Sequence, residues 1–139
     1  ILFRDLIYVI NVGDSRAYAV RFNDLKQLTV DQTYVEYLYH TGKISKEQIN
    51  TSDERHILMN ALGTFPSTSY TLNVYQNLKN PIILCSDGLY NNATELEIHS
   101  ALSTSERIDQ KIDSLISIAN SNGGSDNMAI AYWEAIEND

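Results

Sequence analysis

The segment from Pro81 to Asn91, PIILCSDGLYN, is an apolar run that ends abruptly in a carboxylate. Its four apolar residues lead into Asp87 and Gly88, a pattern typical of a buried strand that carries an acid at its end. Asp-Gly is also a common turn dipeptide, because glycine adopts positive φ without steric cost. Two further stretches share the design and favour a functional interpretation: VINVGD ends in Asp14, and GGSDNMA places Asp126 before an apolar segment.

Composition limits what these acids could do. The 139 residues suit one domain, and 43% hydrophobic residues indicate a globular chain with a core. A net charge of -8 and a pI near 4.7 disfavour nucleic acid and anionic membranes as partners, since such binding depends on cationic side chains. No apolar run is long enough to span a bilayer. The single cysteine, Cys85, cannot form an internal disulfide, so we expect a cytoplasmic protein. The negative net charge makes cations the expected small partners.

Alternating and continuous apolar patterns predict the strands. An antiparallel meander is expected at 6–12, 17–22 and 26–30, with its first two strands joined tightly through Gly13 and Asp14. Further strands are predicted at 70–75, 82–85 and 128–133. Strands followed by paired helices and a last strand indicate an α+β fold, in which helices cover antiparallel sheet.

Capping signals predict the helices. Capping-box spacing marks helix starts at Ser45, Thr94 and Ser103, and Gly42 and the pair 123–124 are placed to end helices. The last helix carries an apolar stripe that we expect to face the core: Ile108, Ile112, Leu115, Ile116 and Ala119. The segment from Thr29 to Gly63 is polar and broken into short pieces, with an extended stretch expected at 56–62. It is therefore interpreted as an insertion.

Three acids at strand-loop junctions suggest a metal site. Mg²⁺ and Mn²⁺ prefer carboxylate, carbonyl and water oxygens. Asp14, Asp87 and Asp126 lie too far apart in sequence for a local metal loop, so only a sheet that gathers its strand ends could bring them together. The alternative is that each acid is a turn or cap residue. The residue pattern alone leaves both open.

Five stretches together resemble the metal-dependent serine/threonine protein phosphatases of the PP2C type, bacterial branch. In family order they are VGDSRAY (12–18), LTVDQT (28–33), ALG (61–63), ILCSDGLYN (83–91) and GGSDNMA (123–129). The resemblance implies a four-layer α-β-β-α sandwich. Residues 1–139 would be the C-terminal part of a single such domain, lacking its N-terminal strands and helices. Thr29 to Gly63 would be the family's mobile flap, beside the active site and available for substrate contacts.

The resemblance also implies a ligand set. Asp87 and Asp126 match the aspartates of the first catalytic metal, and Asp14 matches an aspartate that shares a third, weaker metal with the Asp87 position. The cofactor would be Mn²⁺ or Mg²⁺, with two catalytic ions. The family's phosphate-binding arginine, second-metal acid and bridging Asp-Gly have no counterpart here. In addition, Gln32 and Asn60 stand where many members have His and Arg.

The activity implied for an intact enzyme is hydrolysis of phosphoserine or phosphothreonine in proteins by metal-activated water. Its substrates would be the phosphoproteins of a serine/threonine kinase in bacterial signalling. We expect the chain alone to be inactive, because it lacks ligands for the second metal. The alternative is a non-catalytic phosphatase-like domain that regulates or binds a protein. Retention of all three aspartates favours the enzyme.

Other reactive side chains fit structural roles. A cysteine phosphatase would need an arginine six positions after Cys85, where the chain has Asn91, so Cys85 is expected in the core. His40, His56 and His99 share no ligand spacing. Arg16, next to Asp14 in the same loop, is expected to orient that loop by pairing with nearby acids.

Overall fold

The computed structural model describes residues 1–3, 5–76 and 79–134, which form two antiparallel sheets. The three-stranded sheet has the order β1-β2-β5 and the four-stranded sheet the order β4-β3-β6-β7. The strands of the first are β1 (Leu2–Phe3), β2 (Leu6–Asn11) and β5 (Thr71–Gln76). Those of the second are β3 (Arg16–Val20), β4 (Leu25–Gln27), β6 (Ile82–Cys85) and β7 (Ile130–Trp133).

Helices occupy two parts of the described chain. The segment from Thr29 to Gly63 holds α1 (Tyr34–His40), α2 (Lys46–Thr51) and a 3₁₀ turn (Asp53–His56). The second group is α3 (Asp87–Tyr90), α4 (Glu95–Leu102) and α5 (Ile108–Ser121). The predicted capping boxes at Ser45 and Thr94 and the glycine stops are confirmed: Gln48 accepts from the Ser45 N–H at 2.7 Å, and Gly42 and Gly124 have φ of 72° and 54°.

Strand β3 is the centre of the molecule because both of its faces are covered. Ala17 and Ala19 pack toward the three-stranded sheet, together with Ile7 and Val9. The small alanine side chains let the two sheets approach closely. On the other face, Tyr18 packs in the helix-covered core, which also contains Ile83, Ile98 and Leu115. These four side chains are fully buried.

The predicted meander is wrong at its first turn. Strand β2 pairs with β1 and β5, whereas β3 pairs with β4 and β6, so residues 12–15 cross from one sheet to the other. Gly13 has φ of 92°, which permits this change of direction. A strand that buries residues on both faces needs a layer on each side, and the crossing provides it. Only the β3–β4 hairpin of the predicted meander is present.

The predicted start of α5 is wrong, whereas its predicted core-facing stripe is confirmed at Ile112, Leu115 and Ala119. Ser103 is the C-cap of α4, and α5 begins after Arg107. The buried positions are Lys111, Leu115 and Ala119, whereas Ile108 and Ile116 are each 39% exposed. Lys111 can lie inside because its Nζ is 3.3 Å from Glu134 Oε2, an ion pair at the edge of the core.

The predicted fold class is confirmed as a partial α-β-β-α sandwich. Helices α3, α4 and α5 cover the outer face of the four-stranded sheet. On the outer face of the three-stranded sheet, Ile10, Leu72 and Val74 are about half exposed, and no described helix covers them. The predicted extended stretch at 56–62 contributes one isolated bridge, between Thr33 and Leu58.

Candidate metal centre

Asp87 lies where the sequence predicts it, directly after the buried strand β6. Ser86 occupies the N-cap position and Asp87 is the first residue of α3. The register pairs Arg16 of β3 with Cys85 of β6, and Cys85 with Ile130 of β7. The start of β3, the end of β6 and the start of β7 therefore lie in one row. The loops that carry the three predicted acids all leave from this end of the sheet.

The loop that carries Asp126 is fixed to the turn that carries Asp87. Ser86 N donates to Ala129 O, and Ala129 N donates back to Ser86 Oγ, both at 3.0 Å. A Cβ added at Gly88 would lie 2.2 Å from Asn127 O, so only glycine allows this approach. The Asp126 carboxylate itself is exposed and accepts from the N–H of Asn127 at 2.7 Å.

Asn92 adds two side-chain hydrogen bonds that join the Asp87 turn to the Asp126 loop. Its Nδ2 donates to Gly88 O at 2.9 Å, and its Oδ1 accepts from Ser125 Oγ at 3.3 Å. The side chain is buried and thus joins the Asp87 helix to the residue before Asp126. The sequence analysis missed this role. A polar residue at position 92, immediately before the apolar Ala93, was the one available signal.

Asp14 lies in the loop that crosses between the sheets and is partly buried. Burial raises the pKa of its carboxyl, and the negative charge of Asp87 raises it further. The loop is bound to α3 because the Tyr90 hydroxyl donates to Asp14 O at 2.9 Å. Burial likewise raises the pKa of Tyr90, so this hydroxyl remains a donor. Tyr90 is a second residue that sequence reasoning did not single out.

Arg16 orients the Asp14 loop as expected. Its guanidinium lies 3.7 Å from the centre of the Tyr90 ring, and its Nη2 is 2.7 Å from Asp31 Oδ2. The Nε atom is 3.0 Å from both carboxylate oxygens of Asp31. Since the guanidinium is committed to this pair, Arg16 acts in positioning and is not a free phosphate ligand.

Gln32 and Asn60 hold the same loop from the side of the segment 29–63. Gln32 Oε1 accepts from Gly13 N at 2.7 Å and from Asn60 Nδ2 at 2.6 Å. Gln32 N also donates to Gly13 O at 3.0 Å. The two departures from the family pattern thus form one amide pair. This pair is compatible with the loop geometry.

The remaining candidates have the structural roles expected of them. Cys85 is buried, and burial raises the pKa of its thiol to about 12. His40 lies 3.2 Å from Glu36 on the exposed side of α1, and His99 contacts the carbonyl of Arg21. His56 contacts its neighbour Arg55.

The three predicted acids do not make a complete site by themselves. Among the described residues, no three His, Cys, Asp or Glu side chains lie close enough to hold a metal ion. The negative charge of Asp87 raises the pKa of Asp14, and Asp126 lies on the loop packed against Gly88. Carboxylate oxygens of this kind suit a hard divalent cation. Further ligands would have to complete the coordination.

Known proteins resemble this chain in sequence and in fold. Serine/threonine phosphatase stp of Listeria welshimeri is 37% identical over 135 residues, which are 96% of this chain and 54% of that protein. The crystal structure of serine/threonine phosphatase Stp1 from Staphylococcus aureus matches with a TM-score of 0.88 at 31% identity, covering 99% of this chain and 54% of that chain. The chain belongs to the PP2C/PPM family of serine/threonine phosphatases. No protein-family model matches it.

The structure of one relative contains bound metal ions, and its fold matches that of this chain. The catalytic domain of the phosphatase PstP, in complex with two manganese ions, matches with a TM-score of 0.78 at 29% identity, covering 94% of this chain and 54% of that chain. The chain thus spans about half the length of the Listeria relative and of these structures. Within the described ranges, no helix has both the length and the apolar character that crossing a bilayer requires.

Proposed function

We propose that this chain is part of a metal-dependent protein phosphatase that hydrolyses phosphoserine and phosphothreonine esters. The observation that carries the proposal is the fixing of the Asp126 loop on the Asp87 turn, through Ser86 and Gly88. An alanine at position 88 would place its Cβ 2.2 Å from Asn127 O, so the two loops can lie this close only with glycine there. The metal interpretation accounts for this close approach.

The proposed cofactor is Mn²⁺ or Mg²⁺, with two catalytic ions and a third held more weakly. Asp87 and Asp126 would bind the first catalytic ion, and Asp14 would share the third with Asp87. Such ions lower the pKa of water and neutralise the charge that develops on a transferring phosphoryl group. The chain's own contribution is orientation: Tyr90, Gln32 and Arg16 hold the Asp14 loop.

The flap is proposed as the substrate side of the site. A polar cavity of about 400 Å³ separates α1, α2 and the 3₁₀ turn from the Asp14 loop and α3. Its walls include Asp14, Arg16, Arg55, His56 and Tyr90. A cavity of this size beside Asp14 could take the residues that flank a phosphoserine. The substrates would be the phosphoproteins of a serine/threonine kinase, in the cytoplasm.

The test uses a chimera in which this chain replaces the 135 matched residues of the Listeria welshimeri phosphatase. We expect Mn²⁺-dependent hydrolysis of a phosphothreonine peptide by the chimera and none by the chain alone. Asp87→Asn and Asp126→Asn should each remove most of the activity, whereas Leu96→Ala, on the exposed side of α4, should not change it.

Each outcome of this test is informative. A folded chimera that binds phosphopeptide without turnover would favour the non-catalytic, regulatory alternative. Turnover by the chain alone, comparable with that of the chimera and free of contaminating phosphatase, would contradict the proposal that ligands outside the chain are required.

A further inference from the structure

A second polar cavity adjoins the one beside Asp14. It has a volume of about 470 Å³ and lies between the β3–β4 hairpin, helices α1 and α2 and the start of α4. The two cavities have four wall residues in common, which are Arg16, Asp31, Ile49 and Glu95. Together they form one groove, which runs from Asp14 past the Arg16–Asp31 pair to the edge strand β4. The part of the groove beyond that pair is called the outer cavity.

Cationic side chains are concentrated along this groove. The sequence has ten lysines and arginines against 18 acids. Four of the ten line the outer cavity: Arg16, Arg21, Lys26 and Lys46. Arg55 lines the cavity beside Asp14. Half of the cationic residues of an acidic chain thus border one groove, whose ligand is expected to be anionic.

The acids of the outer cavity are largely compensated. Arg16 Nη2 lies 2.7 Å from Asp31 Oδ2. Glu36 Oε1 lies 3.2 Å from His40 Nε2, and burial raises the pKa of the Glu36 carboxyl. Glu95 lines both cavities, so it lies at the boundary between them. The far end of the outer cavity, beside β4, therefore has no uncompensated acid among the described residues that line it.

Lys26 and Lys46 are the two cations left for a ligand. Arg21 is paired with Asp24, whereas neither lysine forms an ion pair among the residues that the structure describes. Lys26 belongs to β4 and Lys46 is the first residue of α2, so one borders the cavity from the sheet and the other from the segment 29–63. Both residues are exposed. A lysine ammonium is a point charge on a flexible stem and can bind a carboxylate or a phosphate.

We propose that the outer cavity binds an anionic side chain of the substrate polypeptide, close in sequence to the phosphoserine or phosphothreonine. Lys26 and Lys46 then select the substrate class, which is phosphoproteins with an acidic or a second phosphorylated residue near the site of hydrolysis. The inference rests on the proposed phosphatase function, because the same groove begins at Asp14. The two lysines recognise the flanking sequence and do not touch the reacting atoms.

The strand register gives the spacing between the two parts of such a substrate. Lys26 of β4 pairs with Ala19 of β3, three residues beyond Arg16. Three residues of strand span about 10 Å. An extended peptide covers this distance in a similar number of residues, and the step from Asp14 to Arg16 adds one or two. The anionic side chain is therefore expected about three to five residues from the phosphorylated one.

The first experiment measures peptide binding to the chain without turnover. Two labelled phosphothreonine peptides are compared by fluorescence anisotropy in chelator, one with glutamate and one with glutamine at the third to fifth positions on both sides. The glutamate peptide should bind at least about fivefold more tightly, as expected for two exposed ion pairs. Lys26→Gln combined with Lys46→Gln should remove this difference. Lys43→Gln combined with Arg107→Gln removes the same charge at exposed sites outside both cavities and should leave the difference in place.

The opposite order of affinities is expected if the outer cavity is not a binding site. The chain has a net charge of -8, so overall repulsion would make the glutamate peptide the weaker ligand. Weaker binding of the glutamate peptide, equal affinities, or no binding of either peptide would overturn the proposal. So would loss of the difference in the control pair, since the effect would then reflect overall charge.

A third peptide distinguishes a carboxylate from a phosphate as the recognised group. It carries phosphothreonine in place of the fourth-position glutamates. Severalfold tighter binding than that of the glutamate peptide would identify multiply phosphorylated proteins as the substrates. Affinity equal to or below that of the glutamate peptide would identify acidic flanking sequences.

Turnover by the Listeria chimera separates this inference from the proposed function. The combined lysine variant should raise the KM of the glutamate peptide severalfold with little change in kcat, and should not alter the KM of the glutamine peptide. An inactive chimera would contradict the proposed function, whereas the anisotropy comparison would still decide whether the outer cavity binds an anion. An active chimera that hydrolyses both peptides with the same KM would overturn this inference alone.

Discussion

The two sheets differ in how their outer residues are covered. In the four-stranded sheet, Tyr18 and Ile83 lie under helices and are inaccessible to solvent. In the three-stranded sheet, Leu72 and Val74 point away from the core and are about half exposed. The sequence reflects this contrast in part, because β5 (TLNVYQ) alternates apolar and polar residues whereas β6 (IILC) is continuously apolar. The difference lies in whether the described chain supplies a second layer.

The two faces of a single strand, β6, show the same contrast between covered and exposed residues. In β6, Cys85 faces the helices and is buried, whereas its neighbour Leu84 lies on the opposite face and is 49% exposed. The same strand ends at Asp87, so the candidate metal centre lies at the boundary between covered and uncovered structure. The covered half holds the Asp87 turn and the Asp126 loop in place.

Thiol reactivity should show the largest difference between the two faces of β6. Burial raises the pKa of the Cys85 thiol to about 12, against an ordinary value of 9.0. Three pH units correspond to a roughly thousandfold smaller thiolate fraction. At pH 8, Cys85 should therefore react with an aromatic disulfide about a thousandfold more slowly than the thiol of the double variant Leu84→Cys, Cys85→Ser. Equal rates in the folded proteins would mean that the two faces are equally accessible.

Leucine truncations should give the next largest difference. Leu115 is fully buried against the four-stranded sheet, so Leu115→Ala should lower the free energy of unfolding by about 3 kcal/mol. Leu72→Ala, at a residue 49% exposed, should cost less than about 1 kcal/mol. Urea denaturation of both variants measures the comparison. Similar losses would show that the outer face of the three-stranded sheet is covered in solution.

Gly88→Ala tests the contact that joins the covered core to the metal centre. The new Cβ would meet Asn127 O at 2.2 Å, which forces the loop away and should cost about 2 kcal/mol. The displaced Asp126 loop should also respond less to Mn²⁺. Asn91→Ala, at an exposed residue of the same turn, serves as the control. An unchanged melting temperature with an unchanged Mn²⁺ response would contradict the described packing of the two loops.

Local signals explain which parts of the fold were predictable. The capping box at Thr94, the Gly42 stop and the strand that ends before Asp87 each depend on neighbouring residues, and each is confirmed. The predicted hairpin between β2 and β3 was wrong because Gly13 and Asp14 suit both a tight turn within one sheet and a crossing between two sheets. Burial on both faces of β3 depends on layers that are distant in sequence.

The residues of the candidate site also divide into those that local sequence could predict and those that it could not. Asp14, Asp87 and Asp126 could be selected from sequence because each ends or precedes an apolar run. Asn92 and Tyr90 could not, because their roles depend on contacts with Ser125 and Asp14 across 33 and 76 positions. The burial of Lys111 on α5 was missed for a related reason, because it depends on an ion pair with Glu134.

The central claim is that Asp87 and Asp126 share one metal site, although Mn²⁺ should stabilise the chain only slightly. Stabilisation by a ligand follows RT ln(1 + [L]/Kd), about 0.4 kcal/mol when [L] equals Kd. A chain with an incomplete ligand set should be in this weak regime, so millimolar Mn²⁺ and a Ca²⁺ comparison are needed. In chelator, Asp87→Asn should melt at the same or a higher temperature than the unsubstituted chain, since it relieves repulsion between like charges.

The most direct measurement is a double-mutant cycle of Asp87→Asn and Asp126→Asn, with melting followed in chelator and in Mn²⁺. Shared coordination predicts that each single variant loses the Mn²⁺ response and that the double variant loses no more than either. The coupling free energy between the two sites should then differ between the two conditions. Additive effects in both conditions, with the Mn²⁺ response kept in either single variant, would contradict a shared site.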